Sequence, residues 1–339
     1  MQKKISIIIP CYNVEEYIDR CVNSLLTQTI GLSNLELIFI NDASPDKTID
    51  KLLEYEKKYP EDIIVINSSE NLKQGGARNL GLMHASCEYI GFVDSDDWIV
   101  PTMYEKLYSK AIEYDCDVVT CAFKRVYNEE NMGRTGLNDK FCEILNEDQR
   151  KSLLIDGLGP GISKLYRKSI LINNDIYFPE HLSYEDNYFG NLVLFYANRI
   201  YHLEEYLYYY FINPQSTVVK KDSPHHFDRL SVELIKLDTF KKRGLLNMFY
   251  DEIEYKFILL FYINTLHITF TRFNTIPGNI LSHMQNVVKE HFPNYKNNKY
   301  ILGLTPVNKI LFQTLDIHMS QKDWQEFATV YANNINDTI

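Results

Sequence analysis

Residues 89–101 read Y-I-G-F-V-D-S-D-D-W-I-V-P, an apolar segment that runs directly into three carboxylates. The apolar part predicts a buried strand, and Asp94, Asp96 and Asp97 follow at its end. Carboxylates crowded at the end of a buried strand repel one another and lose hydration, so we expect a cation beside them. A hard divalent cation is the simplest candidate, because Mg²⁺ uses one or two protein carboxylates together with substrate phosphates.

Strand and helix patterns alternate around this stretch over the first 125 residues or so. Five strands are predicted, at residues 5–9, 35–40, 63–66, 89–93 and 118–123. Helices are predicted between them, with a capping residue at Asn13 and entries at Ser44-Pro45, Gly75-Gly76-Ala77 and Pro101. Strands that alternate with helices imply right-handed βαβ units, so the predicted fold class is α/β with a mostly parallel sheet flanked by helices.

The alternation weakens beyond residue 123. We expect a loop at 128–139, strands at 162–167 and 199–203, and a helix at 185–196. From residue 226 onward the pattern is helical. The apolar run 257–263 is too short to span a membrane, so it predicts a buried helix or a subunit contact.

Composition and charge exclude some classes of function. The net charge is −10, from 35 basic and 45 acidic residues, so the chain lacks the basic footprint of a nucleic-acid binder. The six cysteines form no C-x-x-C pair and are expected to be buried, reduced thiols. The N-terminal apolar run ends at Pro10, which favours a core strand of a cytosolic protein over a signal peptide.

The ends of the predicted strands carry most of the polar motifs. In parallel α/β sheets, ligands bind outside the carboxyl ends of the strands. Those ends are residues 10–13, 41–44, 71–76 and 94–96, and we expect them to converge on one crevice. There Asp42 is either a turn residue or an acceptor for a nucleobase N–H. Arg78, one turn into a helix, is suited to phosphate oxygens or simply belongs to a close-packed helix start.

Two familiar phosphate-binding motifs are missing from the sequence. No G-x-x-x-x-G-K-[ST] loop is present, and no G-x-G-x-x-G follows the first strand, which argues against ATPases and dinucleotide-binding enzymes. A second acidic motif, L-S-Y-E-D-N-Y-F at 182–189, opens the predicted helix. Its acids either complement the helix dipole or supply a general base.

Five motifs together resemble the family 2 inverting glycosyltransferases with the GT-A fold. They are P-C-Y-N (10–13), N-D-A-S-P-D (41–46), G-G-A-R-N-L-G (75–81), D-S-D-D (94–97) and Y-E-D (184–186). The resemblance covers residues 3–125 and about 160–215. It implies a Rossmann-like catalytic domain at 1–217, with a nucleotide-sugar half at 1–125 and an acceptor half at 126–217, and a C-terminal helical region at 218–339.

The resemblance also implies roles for individual residues. The donor site would consist of Pro10, Tyr12, Asn13, Asp42, Asn71, Arg78, Asp94, Ser95 and Asp96. The first four would hold the nucleotide base, and Asn71 and Arg78 would lie near the base and the phosphates. Asp94 would contact the ribose side, and Asp96 would bind Mn²⁺ or Mg²⁺.

In the same way, Asp186 would be the catalytic base, with Glu185 beside it. In some members a late histidine completes the metal shell, for which His225 and His226 are candidates that we leave outside the predicted site. Ser216, Lys220 and Lys221 are candidates for contacts with the diphosphate.

The implied reaction is a metal-assisted single displacement from a UDP-sugar onto a carbohydrate, glycolipid or glycoprotein hydroxyl. The alternatives are a non-catalytic nucleotide-sugar-binding scaffold and a sugar nucleotidyltransferase. The latter needs a glycine-rich, basic loop where residues 11–15 stand. The implied location is cytoplasmic, with peripheral contact at the inner membrane face left open, as is a homodimer through the C-terminal helices.

Overall fold

A mixed β-sheet organises the first part of the chain in the computed structural model, which describes residues 2–127, 131–135, 144–213 and 220–336. For residues 127, 131–135, 335 and 336 only the backbone is described. The chain divides into two units. The sheet unit contains residues 1–153, 157–181 and 185–213, and the helical unit contains residues 154–156, 182–184 and 214–339.

The sheet has nine strands among the described residues, in the order β3-β2-β1-β4-β8-β6-β9-β5, with β7 paired to β6. They are β1 (Ile5–Cys11), β2 (Leu35–Asn41), β3 (Ile63–Asn67), β4 (Tyr89–Phe92), β5 (Trp98–Ile99), β6 (Val118–Tyr127), β7 (Asn131–Thr135), β8 (Lys164–Arg167) and β9 (Ile200–Phe211). The first four pair in parallel, whereas β8 runs antiparallel between β4 and β6. The carboxyl ends of β1, β2 and β4 therefore lie at one edge of the sheet.

Seven helices belong wholly or mainly to the sheet unit. They are α1 (Ile18–Leu26), α2 (Thr48–Lys58), α3 (Lys73–His84), α4 (Met103–Glu113), α5 (Glu147–Asp156), α6 (Lys168–Asn173) and α7 (Asp186–Tyr196). Every residue of β1 and β2 is buried, as expected for strands covered on both faces. Helix α3 packs very closely on this sheet, because a Cβ at Gly81 would lie 2.3 Å from Cγ2 of Ile8.

The helical unit has its own buried core, which includes Phe257, Phe261 and Trp324. Its helices are α8 (Asp228–Lys242), α9 (Leu245–Met248), α10 (Tyr250–Phe257), a π-helix (Ile258–Ile263), α11 (Asn264–Arg272), α12 (Gly278–His291), α13 (Pro306–Gln313) and α14 (Gln321–Asn336). Across the described part of the chain, no helix combines the length and apolarity that a membrane crossing requires.

The α/β class and the helical C-terminal region are confirmed, and several local predictions are wrong. The loop expected at 128–139 contains strand β7, which pairs with β6; its other residues lie outside the described ones. Asn13 does not cap α1, which begins at Ile18; instead its backbone N–H donates to Oγ of Ser44 at 3.2 Å. Gly75-Gly76-Ala77 lies inside α3 and does not open it.

Two further predictions concern the region after β8. Strand β9 extends to residue 211, beyond the predicted end at 203. Its pairing with β6 contains β-bulges, so Glu204 and Glu205 lie within the strand although they interrupt its apolar pattern. The predicted domain boundary between residues 217 and 218 falls in 214–219, outside the described residues. The division into donor and acceptor halves stays a prediction.

Candidate functional site

The ends of β1 and β2 bring the first two motifs together. Pro10 pairs with Ile40 in the parallel register, and the Asp42 backbone N–H donates to the Cys11 carbonyl at 2.8 Å. Just beyond, Tyr12 is half-exposed, and Asn13 adopts the left-handed backbone conformation with φ at 54°. The residues predicted to hold a nucleotide base are therefore adjacent at one edge of the sheet, and their role in binding the base stays a prediction.

Asp42 and Asn71 also meet. The buried Asp42 accepts the backbone N–H of Leu72 on Oδ1 at 2.7 Å, and Asn71 Nδ2 lies 3.4 Å from the Asp42 carbonyl. Burial raises the pKa of Asp42, while the N–H groups of Leu72 and Lys73 oppose that rise. This places an acceptor-rich carboxylate beside the loop that enters α3.

Arg78 joins the two acidic motifs. Its side chain is 1% exposed, and Nη2 lies 2.8 Å from Oδ1 of Asp94 at the end of β4. Nη1 lies 2.5 Å from Oε1 of Glu185 and 3.4 Å from Oδ1 of Asp186, where α7 begins. Among the described residues Nε of Arg78 has no hydrogen-bond partner. Three carboxylates from two distant parts of the chain thus meet on one buried guanidinium, and we call this group the Arg78 cluster.

These contacts suggest a different role for Arg78 from the predicted one. Its guanidinium is occupied by carboxylates, so its position favours orienting the acids over binding phosphates directly. The donor-binding role stays a prediction that no bound ligand tests.

One guanidinium does not neutralise three carboxylates. Burial opposes the charge of Arg78, but the neighbouring acids outweigh it and raise its pKa. Burial, followed by the charge of Asp186, raises the pKa of Glu185 to about 7 in spite of Arg78. Burial likewise raises the pKa of Asp94, and the charge of Arg78 acts to lower it. Burial in the Arg78 cluster therefore favours the protonated form of Glu185 relative to a glutamate in water.

Asp96 has a different environment from Asp94. Its Oδ2 lies 3.4 Å from Nδ2 of Asn213, and Arg20 donates to its backbone carbonyl, leaving the carboxylate without a basic partner among the described residues. Burial and the charge of Asp94 raise the pKa of Asp96 to about 6. The charge of Arg20 offsets this rise only in part. A partly buried carboxylate with no ion pair to a basic side chain among the described residues fits a divalent cation, which would relieve this cost. Ser95, between the two acids, is buried.

Asp97 has a structural role at the end of β4. The fully buried carboxylate accepts the Tyr208 hydroxyl on Oδ2 at 2.6 Å and the Phe211 backbone N–H on Oδ1 at 2.7 Å. Tyr208 also accepts the backbone N–H of Asp94 at 3.1 Å. Helix α4 begins only at Met103 and has no side-chain cap. Asp97 therefore ties the end of β4 to β9.

The structure describes some of the residues considered as additional ligands for a metal or a diphosphate. His226 uses both ring nitrogens, with Nδ1 3.0 Å from the Tyr184 hydroxyl and Nε2 2.7 Å from the Lys220 carbonyl, so the metal role considered for it is wrong. Nδ1 of His225 lies 3.4 Å from Oδ2 of Asp228. Ser216 is outside the described residues. Within the described ranges, no group of three His, Cys, Asp or Glu side chains is arranged to hold a metal. Asp96 alone, completed by phosphates and water, remains compatible with Mg²⁺ or Mn²⁺.

Several residues around Asp186 had no signal in the sequence. A Cβ at Gly161 would lie 2.8 Å from Oδ1 of Asp186, so the backbone of the loop before β8 approaches the carboxylate closely. Lys164 is buried beneath this loop. The segment G-P-G-I-S-K at 159–164 carries no recognisable motif, although its two closely spaced glycines indicate a tight backbone approach.

A family model described as Glycosyl transferase family 2 matches residues 6–173. A poly(ribitol-phosphate) beta-glucosyltransferase of Bacillus spizizenii is 34% identical over 66% of this chain and 33% of its own length. The uncharacterized glycosyltransferase EpsJ of Bacillus subtilis is 31% identical over 62% of each. This chain thus spans between a third and just under two thirds of the length of these curated relatives.

Solved structures give a similar result. The Staphylococcus aureus TarS fragment 1–349 in complex with UDP superposes with a TM-score of 0.57 and 26% identity, covering 92% of this chain and 78% of that one. The same fragment with UDP-GlcNAc gives a TM-score of 0.56 and 25% identity, covering 92% and 79%. The similarity extends well past residue 173, into the helical part of the chain.

Proposed function

Because the chain belongs to glycosyl transferase family 2, we propose that it is an inverting glycosyltransferase that moves a sugar from a UDP-sugar to an acceptor hydroxyl. The observation that carries this proposal is the Arg78 cluster, in which Asp94 of the predicted donor site and Asp186, the predicted base, contact the same guanidinium. A non-catalytic scaffold has no need of a base next to a donor site.

The donor side of the proposal rests on the ends of β1, β2 and β4. Asp42 would accept the N–H of a uracil ring, with Tyr12 and Asn13 beside it and Asn71 across the loop. Asp94 would contact the ribose. The complexes of TarS with UDP and UDP-GlcNAc support a uridine nucleotide as the donor.

Asp186 would act as the general base. Arg78 and the Gly161 backbone both lie against Oδ1, and Oδ2 accepts no hydrogen bond from the described residues. Oδ2 is therefore the oxygen that would take the proton from the acceptor hydroxyl as that hydroxyl attacks the anomeric carbon. Glu185, with its pKa near 7, would stay bound to Arg78 and hold the cluster together.

Asp96 would hold the divalent cation. A bound Mg²⁺ or Mn²⁺ supplies positive charge for the diphosphate leaving group. The pKa of Asp96, about 6, leaves this carboxylate ionised and available at neutral pH. Asn213, close to Oδ2 of Asp96, would orient that carboxylate.

The sugar and acceptor are proposed by class only. Relatives named as beta-glucosyltransferase and beta-N-acetylglucosaminyltransferase favour transfer of a hexose or an N-acetylhexosamine to form a β-glycoside. Inversion of an α-linked donor gives that product. The acceptor would be a glycan, a glycolipid or a glycoprotein, encountered in the cytoplasm at the inner face of the membrane.

The test combines UDP titration with turnover. Wild-type protein is titrated calorimetrically with UDP with and without Mn²⁺, and UDP release is measured against a panel of nucleotide sugars. The Asp186→Asn variant should keep Mn²⁺-dependent UDP binding and lose transfer by about 10²–10⁴-fold, because it removes the base and leaves every side chain of the predicted donor site in place. The Asp96→Ala variant should lose the effect of Mn²⁺ on UDP affinity.

The matched control is Asp148→Asn, which also removes an acid from the first turn of a helix but lies exposed on α5. It should behave as wild type in both assays. Normal turnover by Asp186→Asn would exclude Asp186 as the base. UDP binding without any sugar release by wild-type protein would favour the scaffold.

A further inference from the structure

The loop before β8 is held by its own strand. The Lys164 ammonium donates to the carbonyls of Pro160 and, at 3.1 Å, of Ile162. The Tyr166 hydroxyl donates to the Gly161 carbonyl between them at 3.0 Å. Three consecutive carbonyls are thus bound by side chains of the strand that follows, which fixes the loop backbone.

This fixed backbone lies against Asp186. A Cβ at Gly161 would stand 2.8 Å from Oδ1 and 3.7 Å from Cγ of that carboxylate. The loop is therefore a wall of the space around the proposed base, and a side chain at position 161 would displace Asp186.

Lys164 is unusual for a buried cation. It is 2% exposed, and its two hydrogen-bond partners among the described residues are carbonyl oxygens. Lysine is seldom buried so fully without a carboxylate partner. Burial lowers the pKa of Lys164 to about 8, while the negative charge of Asp186 acts in the opposite direction. Apart from Asp186, Cys121 is the ionisable group whose charge acts on this ammonium.

The charges around Asp186 explain why a second cation is useful there. Asp94 and Glu185 share Arg78 with Asp186, so three acids compete for one guanidinium. Tyr166 is the other titratable group that faces Asp186, and burial raises its pKa. Lys164 is therefore the positive charge that is not divided among the acids.

We propose that Lys164 is a positioning residue for the transfer step: its buried ammonium locks the Pro160–Ile162 backbone against Asp186 and supplies a second positive charge that faces this carboxylate. The inference rests on the proposed function, in which Asp186 is the base. Lys164 does not touch the reacting atoms, and its effect passes through the loop and through Asp186.

The experiment measures Lys164→Met in the full chain. We expect kcat to fall by about 10–100-fold, because a small displacement of a catalytic group is enough to cause such a loss. We expect the Kd for UDP with Mn²⁺ to stay within about 2-fold of wild type, because the donor side is untouched. The acidic limb of the kcat/KM–pH profile should move to higher pH, because the site loses a positive charge near its carboxylates.

Lys168→Met is the matched control. Its ammonium also donates to a backbone carbonyl, that of Ala85 at 2.6 Å, but it lies in α6 and does not contact the loop. It should leave kcat and the pH profile unchanged. If Lys164→Met does not fold, Lys164→Gln carries the same test, because it keeps a donor for the loop and removes the charge. Gly161→Ala should also lower kcat while UDP binding is retained.

The outcomes separate the two proposals. An unshifted pH profile and wild-type kcat in Lys164→Met, or in Lys164→Gln if that variant replaces it, would overturn the role of Lys164 and leave the glycosyltransferase intact. Wild-type protein that transfers no sugar from any donor would overturn both.

Discussion

Glu185 shows how a single residue in the Arg78 cluster is controlled by its surroundings. A carboxylate in contact with arginine usually has a lowered pKa. Here burial and the adjacent Asp186 outweigh one guanidinium that three acids share, so the pKa rises to about 7. Asp186, next in the chain, has a side chain that is 29% exposed, whereas that of Glu185 is 5% exposed. Two neighbouring acids thus differ in their contact with water, which suits a structural acid next to a base.

Glu185 makes the stability of the protein depend on pH. Its folded pKa of about 7 exceeds its unfolded value near 4.5, so the folded state keeps this proton while the unfolded state loses it. Between those values the free energy of unfolding should fall as the pH rises, by about 3 kcal/mol in total. Glu185→Gln lacks this dependence. Urea unfolding at pH 5 and pH 8 should show a smaller change for the variant than for wild type.

The exposed carboxylate of Glu88, which pairs with Arg167, provides the control. Glu88→Gln should show the same pH dependence as wild type. A Glu185→Gln variant whose stability changes with pH as much as that of wild type would show that Glu185 is already ionised at pH 5.

Among the elements, the junction of β4 and β9 determines where the D-S-D-D motif points. Tyr208 of β9 accepts the N–H of Asp94 and donates to Asp97, and the same carboxylate accepts the N–H of Phe211. The short strand β5 also pairs with β9, through Trp98 and Tyr209. The segment after β4 is therefore attached to β9 at Asp94, at Asp97 and at Trp98. These attachments fix the backbone that carries the Asp94 and Asp96 carboxylates of the candidate site.

Tyr208→Phe tests this junction. The variant leaves a buried oxygen of Asp97 and the N–H of Asp94 without a partner, so we expect a loss of about 1–3 kcal/mol in the free energy of unfolding. Donor binding should weaken as well, since the backbone of Asp94 is released. Urea denaturation and UDP titration with Mn²⁺ measure the two effects.

Tyr104→Phe is a closely matched comparison. Tyr104 is equally buried, but its hydroxyl has no hydrogen-bond partner among the described residues. Its removal breaks no hydrogen bond among the described residues, so it should not destabilise the protein and should leave UDP affinity as it was. Equal effects of the two substitutions would mean that the Tyr208 hydrogen bonds do not stabilise the junction.

At the scale of the whole molecule, the chain passes repeatedly between its two units. Residues 154–156 and 182–184 belong to the helical unit although they lie within the sheet unit's part of the sequence. In the first of these segments the Ile155 carbonyl accepts the Lys256 ammonium at 2.8 Å. In the second, the Ser183 N–H donates to Oδ2 of Asp228 at 3.0 Å. The Tyr184 ring lies 4.2 Å from the guanidinium of Arg229. The predicted catalytic domain 1–217 therefore omits the partners of these two segments.

A chain that ends at residue 217 should consequently be less stable than the full chain. It loses the hydrogen bonds made with Lys256, Asp228 and His226, each worth about 0.5–1.5 kcal/mol, and uncovers the Tyr184 ring. We expect a lower melting temperature and aggregation on size-exclusion chromatography. A monodisperse fragment that melts cooperatively at the temperature of the full chain would show that these contacts are dispensable.

The sequence by itself determined the α/β class and the edge at which the motifs gather. Both follow from local patterns: apolar runs predict buried parallel strands, and parallel strands place their carboxyl ends together. For the same reason the sequence alone predicts residues 10–13, 41–44 and 94–96 as candidate site residues.

Only the tertiary structure decided which of those residues bind one another. Arg78 binds Glu185 and Asp97 binds the N–H of Phe211, each across more than a hundred residues of chain, and no local period encodes such a pairing. Lys164 reads as an ordinary strand residue, and its burial depends on how the loop before it folds back. The charge balance at Asp186 likewise depends on distances and burial, which the order of residues does not contain.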